Sequence, residues 1–339
     1  MNIIITGGVG FIGTNAALAF LKKGNNVTLI DNFSRDGVDV NAGVIKKRYS
    51  QVDIVQTPVQ KIDAYLPQLK RADVVIHLAG QTAVTTSIAN PRHDFENNIT
   101  AGFHLLEAVR KHNPQAIVLY SSTNKVYGDL SHHNIVTNKK KHRVENRSCP
   151  QGVDETESID LISPYGCSKG ALDCYMLDYA RIFNLNTVVF RQSCIYGPFQ
   201  MGVEDQGWVA HFTKQFLYQN PITIFGNGLQ VRDLLYVEDL VEAYKKAIQR
   251  IKTVKGQAIN IGGGTKNSFS LVEVITMIEK VLGYTIPIHY EKERSGDQQY
   301  FVSKNGKVKK LLSWQPKTAF AIGLESLIDW QKKHLHDLV

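Results

Sequence analysis

The sequence predicts an α/β fold, a doubly wound parallel sheet followed by a smaller C-terminal α/β cap. Three observations carry that prediction. Short, continuous apolar runs rich in Val and Ile recur through the first half, as in strands buried on both faces. Stretches of helical spacing separate them, which calls for crossovers and parallel pairing. Beyond about residue 190 the alternation loosens, and Gly197-Pro198, Gly226-Asn227-Gly228, Gly262-Gly263-Gly264 and Ile286-Pro287 punctuate short elements.

In order, Asn2–Thr6 is the first strand, and helical spacing over Asn15–Lys23 ends at Gly24. Val27–Asp31 and Asp53–Gln56 read as strands, as does Asp73–Ala79 through Val74, Val75, Ile76 and Leu78. Phe95–His112 reads as a helix that stops before Asn113-Pro114, because the residue ahead of proline avoids the helical region. Ala116–Ser121 is the next strand. Residues 129–162 are polar, basic and without periodicity, and are expected to form an insertion loop. Ser163-Pro164 reads as an N-cap with proline at the first helical position, opening a helix to about Phe183. Asn186–Arg191 is a strand, and two helical stretches follow, Val237–Arg250 and Ser270–Leu282.

The chain has 339 residues, enough for about two domains. Hydrophobic residues make up 43% and charged residues 21%, which excludes a disordered or fibrous chain. No apolar run reaches the roughly 20 residues of a membrane helix, and the opening lacks a basic leader, so no membrane and a cytoplasmic location are expected. The net charge of +8 is local. Residues 131–150 hold five basic residues against Glu145, and residues 292–310 hold six against Glu293 and Asp297. Two small basic segments suit a small anionic ligand or solvated loops. A nucleic-acid partner would need a longer basic stripe with aromatics. Four cysteines without CxxC spacing are expected as free thiols, and the histidines show no zinc spacing, so no metal is expected. His132, His133 and His142 lack a partner carboxylate motif and read as solvated.

Gly8-Val9-Gly10-Phe11-Ile12-Gly13 fits GxGxxG, and Gly7, Gly10 and Gly13 also fit GxxGxxG. The motif follows a strand and opens a helix, the context in which glycines let backbone approach a pyrophosphate at a helix N-terminus. Gly7, Gly10, Phe11, Ile12 and Gly13 are therefore candidate cofactor contacts in a Rossmann-type fold. Asp31 ends the second strand, where a carboxylate accepts hydrogen bonds from the adenosine ribose and repels a 2′-phosphate, so NAD is expected rather than NADP. Asn32, Ser34 and Arg35 follow it and are expected at the same end, with Arg35 as the one residue that favours a 2′-phosphate.

Tyr165 and Lys169 stand four apart, on one helix face. An unperturbed phenol titrates near 10, and a neighbouring ammonium favours phenolate, so the pair is a candidate acid/base. Thr123, in Ser121-Ser122-Thr123-Asn124-Lys125, follows a parallel strand and so reaches the edge where ligands bind. Its hydroxyl can share a substrate oxygen with Tyr165.

On these residues the whole chain resembles the extended short-chain dehydrogenase/reductases, the nucleotide-sugar epimerases and dehydratases. TGGVGFIG, HLAG (His77–Gly80), SSTNKVYG, SPYGCSKG and GNGLQVRDLLYVED (Gly226–Asp239) carry the likeness. Gln81–Pro91, Ser121–Leu130, Ser163–Arg191 and Asp205–Val209 most resemble the branch that inverts C2 of CDP-linked sugars. The resemblance implies Thr123, Tyr165 and Lys169 as catalytic, with Lys169 also holding the nicotinamide ribose. It implies Leu78, Ala79, Gln81 and Asn98 as cofactor lining. It places Arg232 and Arg294 on the sugar-nucleotide diphosphate, Asn124 beside Thr123 at the substrate, and Gln206, Gly207 and Trp208 near the base. Guanidinium forks suit phosphate oxygens. Pro58 stands where the family has an aspartate that meets adenine.

The resemblance further implies an NAD-binding domain at 1–190, with its insertion at about 129–162. A cap over 191–339 would bind mainly the sugar nucleotide and return some segments to the sheet. A homo-oligomer is expected. The rivals are a 4-epimerase or 4,6-dehydratase of the same scaffold, and a non-catalytic NAD-sensing or RNA-binding protein. Asn124-Lys125 disfavours the dehydratase, where an Asp-Glu pair is expected.

Overall fold

A computed structural model describes residues 1–294, 296–334 and 336. The first half supplies β1 (Asn2–Thr6), β2 (Asn26–Asp31), β3 (Asp53–Gln56), β4 (Val74–His77) and β5 (Ile117–Thr123). A hairpin of β6 (Ile135–Asn138) and β7 (Arg143–Asn146) precedes β8 (Asn186–Gln192). The second half adds β9 (Cys194–Tyr196), β10 (Ile222–Phe225), β11 (Val231–Tyr236), β12 (Gln257–Ile261), β13 (Ser268–Ser270), β14 (Ile288–Glu291) and β15 (Tyr300–Phe301). The main helices are α1 (Phe11–Leu21), α2 (Val38–Arg48), α3 (Ala101–His112), α4 (Ser163–Ile182), α5 (Trp208–Tyr218), α6 (Val237–Gln249), α7 (Leu271–Leu282) and α8 (Phe320–Lys333).

Seven strands form one sheet in the order β3-β2-β1-β4-β5-β8-β12, and every pairing is parallel. Their apolar runs are continuous because helices cover both faces. Side chains alternate between the faces: Ile3 and Ile5 pack with Ala16, Phe20, Leu240 and Tyr244, whereas Ile4 packs with Leu105, Val109, Leu172 and Met176. Burial of each such aliphatic side chain contributes about 1.5–3 kcal/mol. The strand order reverses between β1 and β4, which opens a crevice at their carboxyl ends. Over that crevice stands a smaller sheet in which β11 pairs with β9, β13 and β15, with β10–β14 as a separate parallel pair.

Several expected bounds move, each for a local reason. α1 starts at Phe11, inside the glycine motif, with Gly10 as its extended N-cap. The helix expected from Phe95 begins at Pro91, because Asn90 caps it by accepting the His93 N–H at 3.1 Å. It runs through a π turn at Glu96–Thr100 into α3. Residues 129–162 are not all loop: β6 and β7 pair across four residues each. Val144 is the one buried apolar residue of the pair, packed against Val231, Tyr300 and Val302, which is why no apolar period marks the hairpin. Ser163 caps α4 by accepting the Gly166 N–H at 3.2 Å, although the helix is bounded from Ser163 itself. Ser270 opens α7 through a capping box with Glu273. Among the described residues no helix is long and apolar enough to cross a membrane. The four cysteines are unpaired.

Candidate active site

The crevice is a cleft of about 650 Å³ between the carboxyl edge of the large sheet and the small sheet. The glycine turn forms one end. Gly7 takes φ +66°, and a Cβ there would meet the Ala79 nitrogen at 2.8 Å. A Cβ on Gly13 would meet the Gly7 carbonyl oxygen at 2.2 Å. Gly10 meets only that oxygen, at 3.2 Å, and faces the cleft with Phe11 and Ile12. This cradle admits a pyrophosphate and would be filled by side chains. Asp31 stands at its mouth, its carboxylate accepting the Val9 N–H at 3.2 Å and the Phe33 N–H at 3.0 Å. Burial raises its pKa, and those backbone donors oppose the rise. Asn32, Ser34 and Arg35 line the same end, and Arg35 donates to Gln206 at 2.8 Å. Leu78, Ala79 and Gln81 line the opposite wall, and Thr57 and Pro58 add an apolar patch where adenine is expected. The residue set fits NAD.

The middle of the cleft holds Thr123 at the end of β5 and Tyr165 and Lys169 on α4. All three are buried. The Thr123 hydroxyl favours the ionised form of the Tyr165 phenol. Burial pushes the Tyr165 phenol up to about 12; the Thr123 hydroxyl and Arg35 oppose it, and Asp94 adds to it. Lys169 does not support Tyr165 as the spacing suggests. Its ammonium donates to the Ser121 carbonyl and lies 4.6 Å from the centroid of the Tyr120 ring. Burial lowers it to about 8, with Asp94 and Asp173 opposing. The expected lowering of the phenol by Lys169 is therefore absent here, because desolvation dominates and the ammonium has turned to the sheet edge. Behind this set Arg191 donates to Asp173 through Nε and Nη2, at 2.9 and 3.1 Å, and Ser122 donates to the same carboxylate at 2.9 Å. That buried network fixes β5 and β8 against α4.

The far end is charged. Arg232 donates to the Asp297 carboxylate at 2.8 Å and to the Gln298 carbonyl. Arg294 pairs with Glu204 and Asp205, at 2.8 and 3.0 Å, and stacks 3.6 Å from the Phe225 ring centroid. Asn124 donates to the Gln298 side chain at 2.8 Å. Gln206, Gly207 and Trp208 line this end, Gly207 with φ +77° as the N-cap of α5 and Trp208 edge-on to Phe212.

One expected cofactor residue lies elsewhere. Asn98 is behind Gly80 and donates to Asp94 and Ser168, so its side chain braces the wall rather than lining it. The histidines also need correction. His132 and His133 converge on Glu157, at 3.1 and 2.9 Å. Asn146 accepts two backbone N–H groups through its oxygen and so offers its NH2 to His133 Nδ1. His133 Nε2 then carries the proton and donates to Glu157, the wrong tautomer for a metal ligand at that atom. Of the basic segments, Lys139, Lys140 and Lys141 are exposed on the hairpin turn, whereas Arg294 reaches the cleft. Sequence reasoning missed Lys125 and Asp297, which both line it. The signal lay in SSTNKVYG and in the acid three residues past Arg294.

Solved structures share this architecture over nearly the whole chain. UDP-glucuronic acid 4-epimerase from Bacillus cereus, in complex with UDP-glucuronic acid and NAD, superimposes with a TM-score of 0.84 at 29% identity, over 98% of this chain and 99% of that one. UDP-glucose 4-epimerase from Thermotoga maritima with UDP-glucose gives 0.84 at 28% identity, over 99% and 100%. In sequence, CDP-paratose 2-epimerase of Salmonella typhi is 40% identical, covering 97% of this chain and 99% of its own. The profile of the NAD dependent epimerase/dehydratase family matches residues 3–262, and with a dinucleotide cradle and an adjoining Thr–Tyr–Lys set in one cleft the chain belongs to that family, with NAD as its cofactor.

Proposed function

We propose that the chain is a nucleotide-sugar 2-epimerase that converts CDP-paratose to CDP-tyvelose. The observation that carries this reading is the convergence of Thr123, Tyr165 and Lys169 beside the glycine cradle, in a cleft whose other end presents Arg232 and Arg294. The 40% identity to CDP-paratose 2-epimerase supports the sugar and the base. NAD, held by the glycine cradle and Asp31, would supply hydride transfer from and back to the sugar carbon when bound. Tyr165 takes the proton from the hydroxyl on that carbon and gives it back on the return, Thr123 holds the same oxygen, and Lys169 orders the wall beneath them. The two half-steps cancel in electrons and protons, so no second substrate is needed. Arg232 and Arg294 hold the diphosphate while the keto-sugar turns over.

Elimination of water would call for a carboxylate acid/base pair next to Thr123. Asn124 is committed to Gln298 there, and Lys125 carries the opposite charge. That disfavours the dehydratase reading.

The division into an NAD-binding part at 1–190 and a mainly sugar-nucleotide-binding part at 191–339 belongs to the same proposal, as does a homo-oligomer. Phe103, Tyr175, Tyr179 and Phe183 form a continuous ring contact along α3 and α4, and Tyr175 and Phe183 remain over two-fifths exposed. Incubation with CDP-, UDP- and GDP-sugars, read by product NMR, tests the substrate; light scattering tests the assembly. Turnover of UDP- or GDP-sugars in preference to CDP-sugars would overturn the base assignment.

A further inference from the structure

Lys125 and Asp297 have no place in the mechanism above, yet both line its cleft. Lys125 follows Thr123 by two residues, and its backbone N–H donates to the Thr123 hydroxyl oxygen at 3.2 Å. Its side chain is only 17% exposed, and its ammonium donates to the Gly296 carbonyl at 3.2 Å and to Asp297 Oδ1 at 3.4 Å. The same Oδ1 accepts from Arg232 at 2.8 Å. Two largely buried cations, Lys125 in the turn after β5 and Arg232 on β11, therefore share a single carboxylate oxygen, on a side chain that is 41% exposed. Burial lowers Lys125 from the ordinary lysine value, with Asp297 opposing. Burial would raise Asp297, and Arg232 and Lys125 reverse that and hold it low. The site is built for an anionic oxygen, and one carboxylate leaves it with a surplus positive charge.

The proposed reaction makes this position informative. In a nucleoside-diphosphate sugar the diphosphate hangs on C1. C2 is bonded to C1, whereas C4 lies across the ring. Chemistry at C2 therefore requires the sugar-side phosphate to come much closer to Thr123 and Tyr165 than chemistry at C4 does. A cation two residues past Thr123 is placed to receive it. We infer that Lys125, together with Arg232, binds the sugar-linked phosphate at the point now taken by Asp297 Oδ1, and that this contact selects C2 as the reacting carbon. Asp297 is the built-in stand-in for that phosphate oxygen. Gln298, next in the chain, is anchored by accepting from Asn124 and donating to the Gly128 carbonyl, so Asp297 can swing aside while Gln298 stays in place.

This inference rests on the 2-epimerase reading, and the test separates the two. Binding of CDP to the NAD-loaded protein is measured by calorimetry for the parent, Lys125→Met, Lys125→Arg and Asp297→Asn. Lys125→Met is expected to weaken CDP roughly tenfold, the loss of one charge-assisted bond. Lys125→Arg should recover most of it, and Asp297→Asn should tighten CDP several-fold by removing the competitor. Products of the same variants are read by NMR, and Lys125→Met should lose inversion at C2 by more than its loss of CDP affinity explains. Parent protein that inverts a carbon other than C2 overturns the functional reading. Parent protein that inverts C2, with Lys125→Met unchanged in affinity and product or Asp297→Asn weaker for CDP, overturns the role of Lys125 alone.

Discussion

The ammonium of Lys169 lies 4.6 Å from the centroid of the Tyr120 ring and donates to the Ser121 carbonyl, so a buried cation is held by a ring face and the strand edge. Burial lowers it to about 8 from 10.5. The folded state then holds fewer protons than the unfolded state between about pH 8 and 10.5, and stability rises with pH across that window. Below pH 8 the full cost of the buried charge applies, about 3 kcal/mol at most from the shift. Lys169→Met should remove this rise. Urea titrations of both proteins at pH 7, 9 and 10.5 check it, and parallel curves would show that Lys169 is not the source.

Tyr165→Phe should abolish turnover, a loss on the order of 10²–10⁴-fold or more. NAD should remain bound, since the glycine cradle is untouched. Thr123→Val removes the hydroxyl that opposes the rise of the Tyr165 phenol. Phenolate then forms only at higher pH, so the rising limb of kcat against pH should move upward in Thr123→Val. A limb that stays in place would mean another group is the base.

Asp31→Ala should weaken NAD more than NADP, because the carboxylate that accepts from the ribose also repels a 2′-phosphate. Since Asp31 also accepts the Val9 and Phe33 N–H groups, the variant should melt at lower temperature. Fluorescence titration with both cofactors and a melting curve check the two effects. Equal affinity of the parent protein for NAD and NADP would contradict the role given to Asp31.

Arg191→Met should destabilise the fold by about 3–5 kcal/mol, since it strands a buried Asp173 carboxylate. Chemical denaturation checks this, and a loss under 1 kcal/mol would show that the pair is not what fixes β5 and β8 against α4.

Much of the fold was legible in local chemistry. Ile3–Ile5, Val74–Ile76 and Val188–Phe190 read as strands because both faces are covered and each run is continuous. The glycine turn was legible because Gly7 and Gly13 have no room for a side chain. The hairpin at β6 and β7 was not, since a single buried apolar residue, Val144, leaves no period to read. Side-chain direction was equally hidden. Spacing puts Lys169 on the Tyr165 face of α4 but cannot say that its ammonium turns to Ser121. Nor can it bring Glu157 to His132 and His133, 25 and 24 residues away, or Asp297 to Lys125 and Arg232. Those contacts are set by the sheet crossovers and by the chain leading into β15.

The central claim is transient oxidation at C2 by the Thr123–Tyr165–Lys169 set. It is tested most directly with CDP-paratose deuterated at C2, turned over in ordinary water and read by NMR. The account predicts a product inverted at C2 that keeps its deuterium. Loss of the label to solvent, or a labelled product inverted at C4, would contradict it.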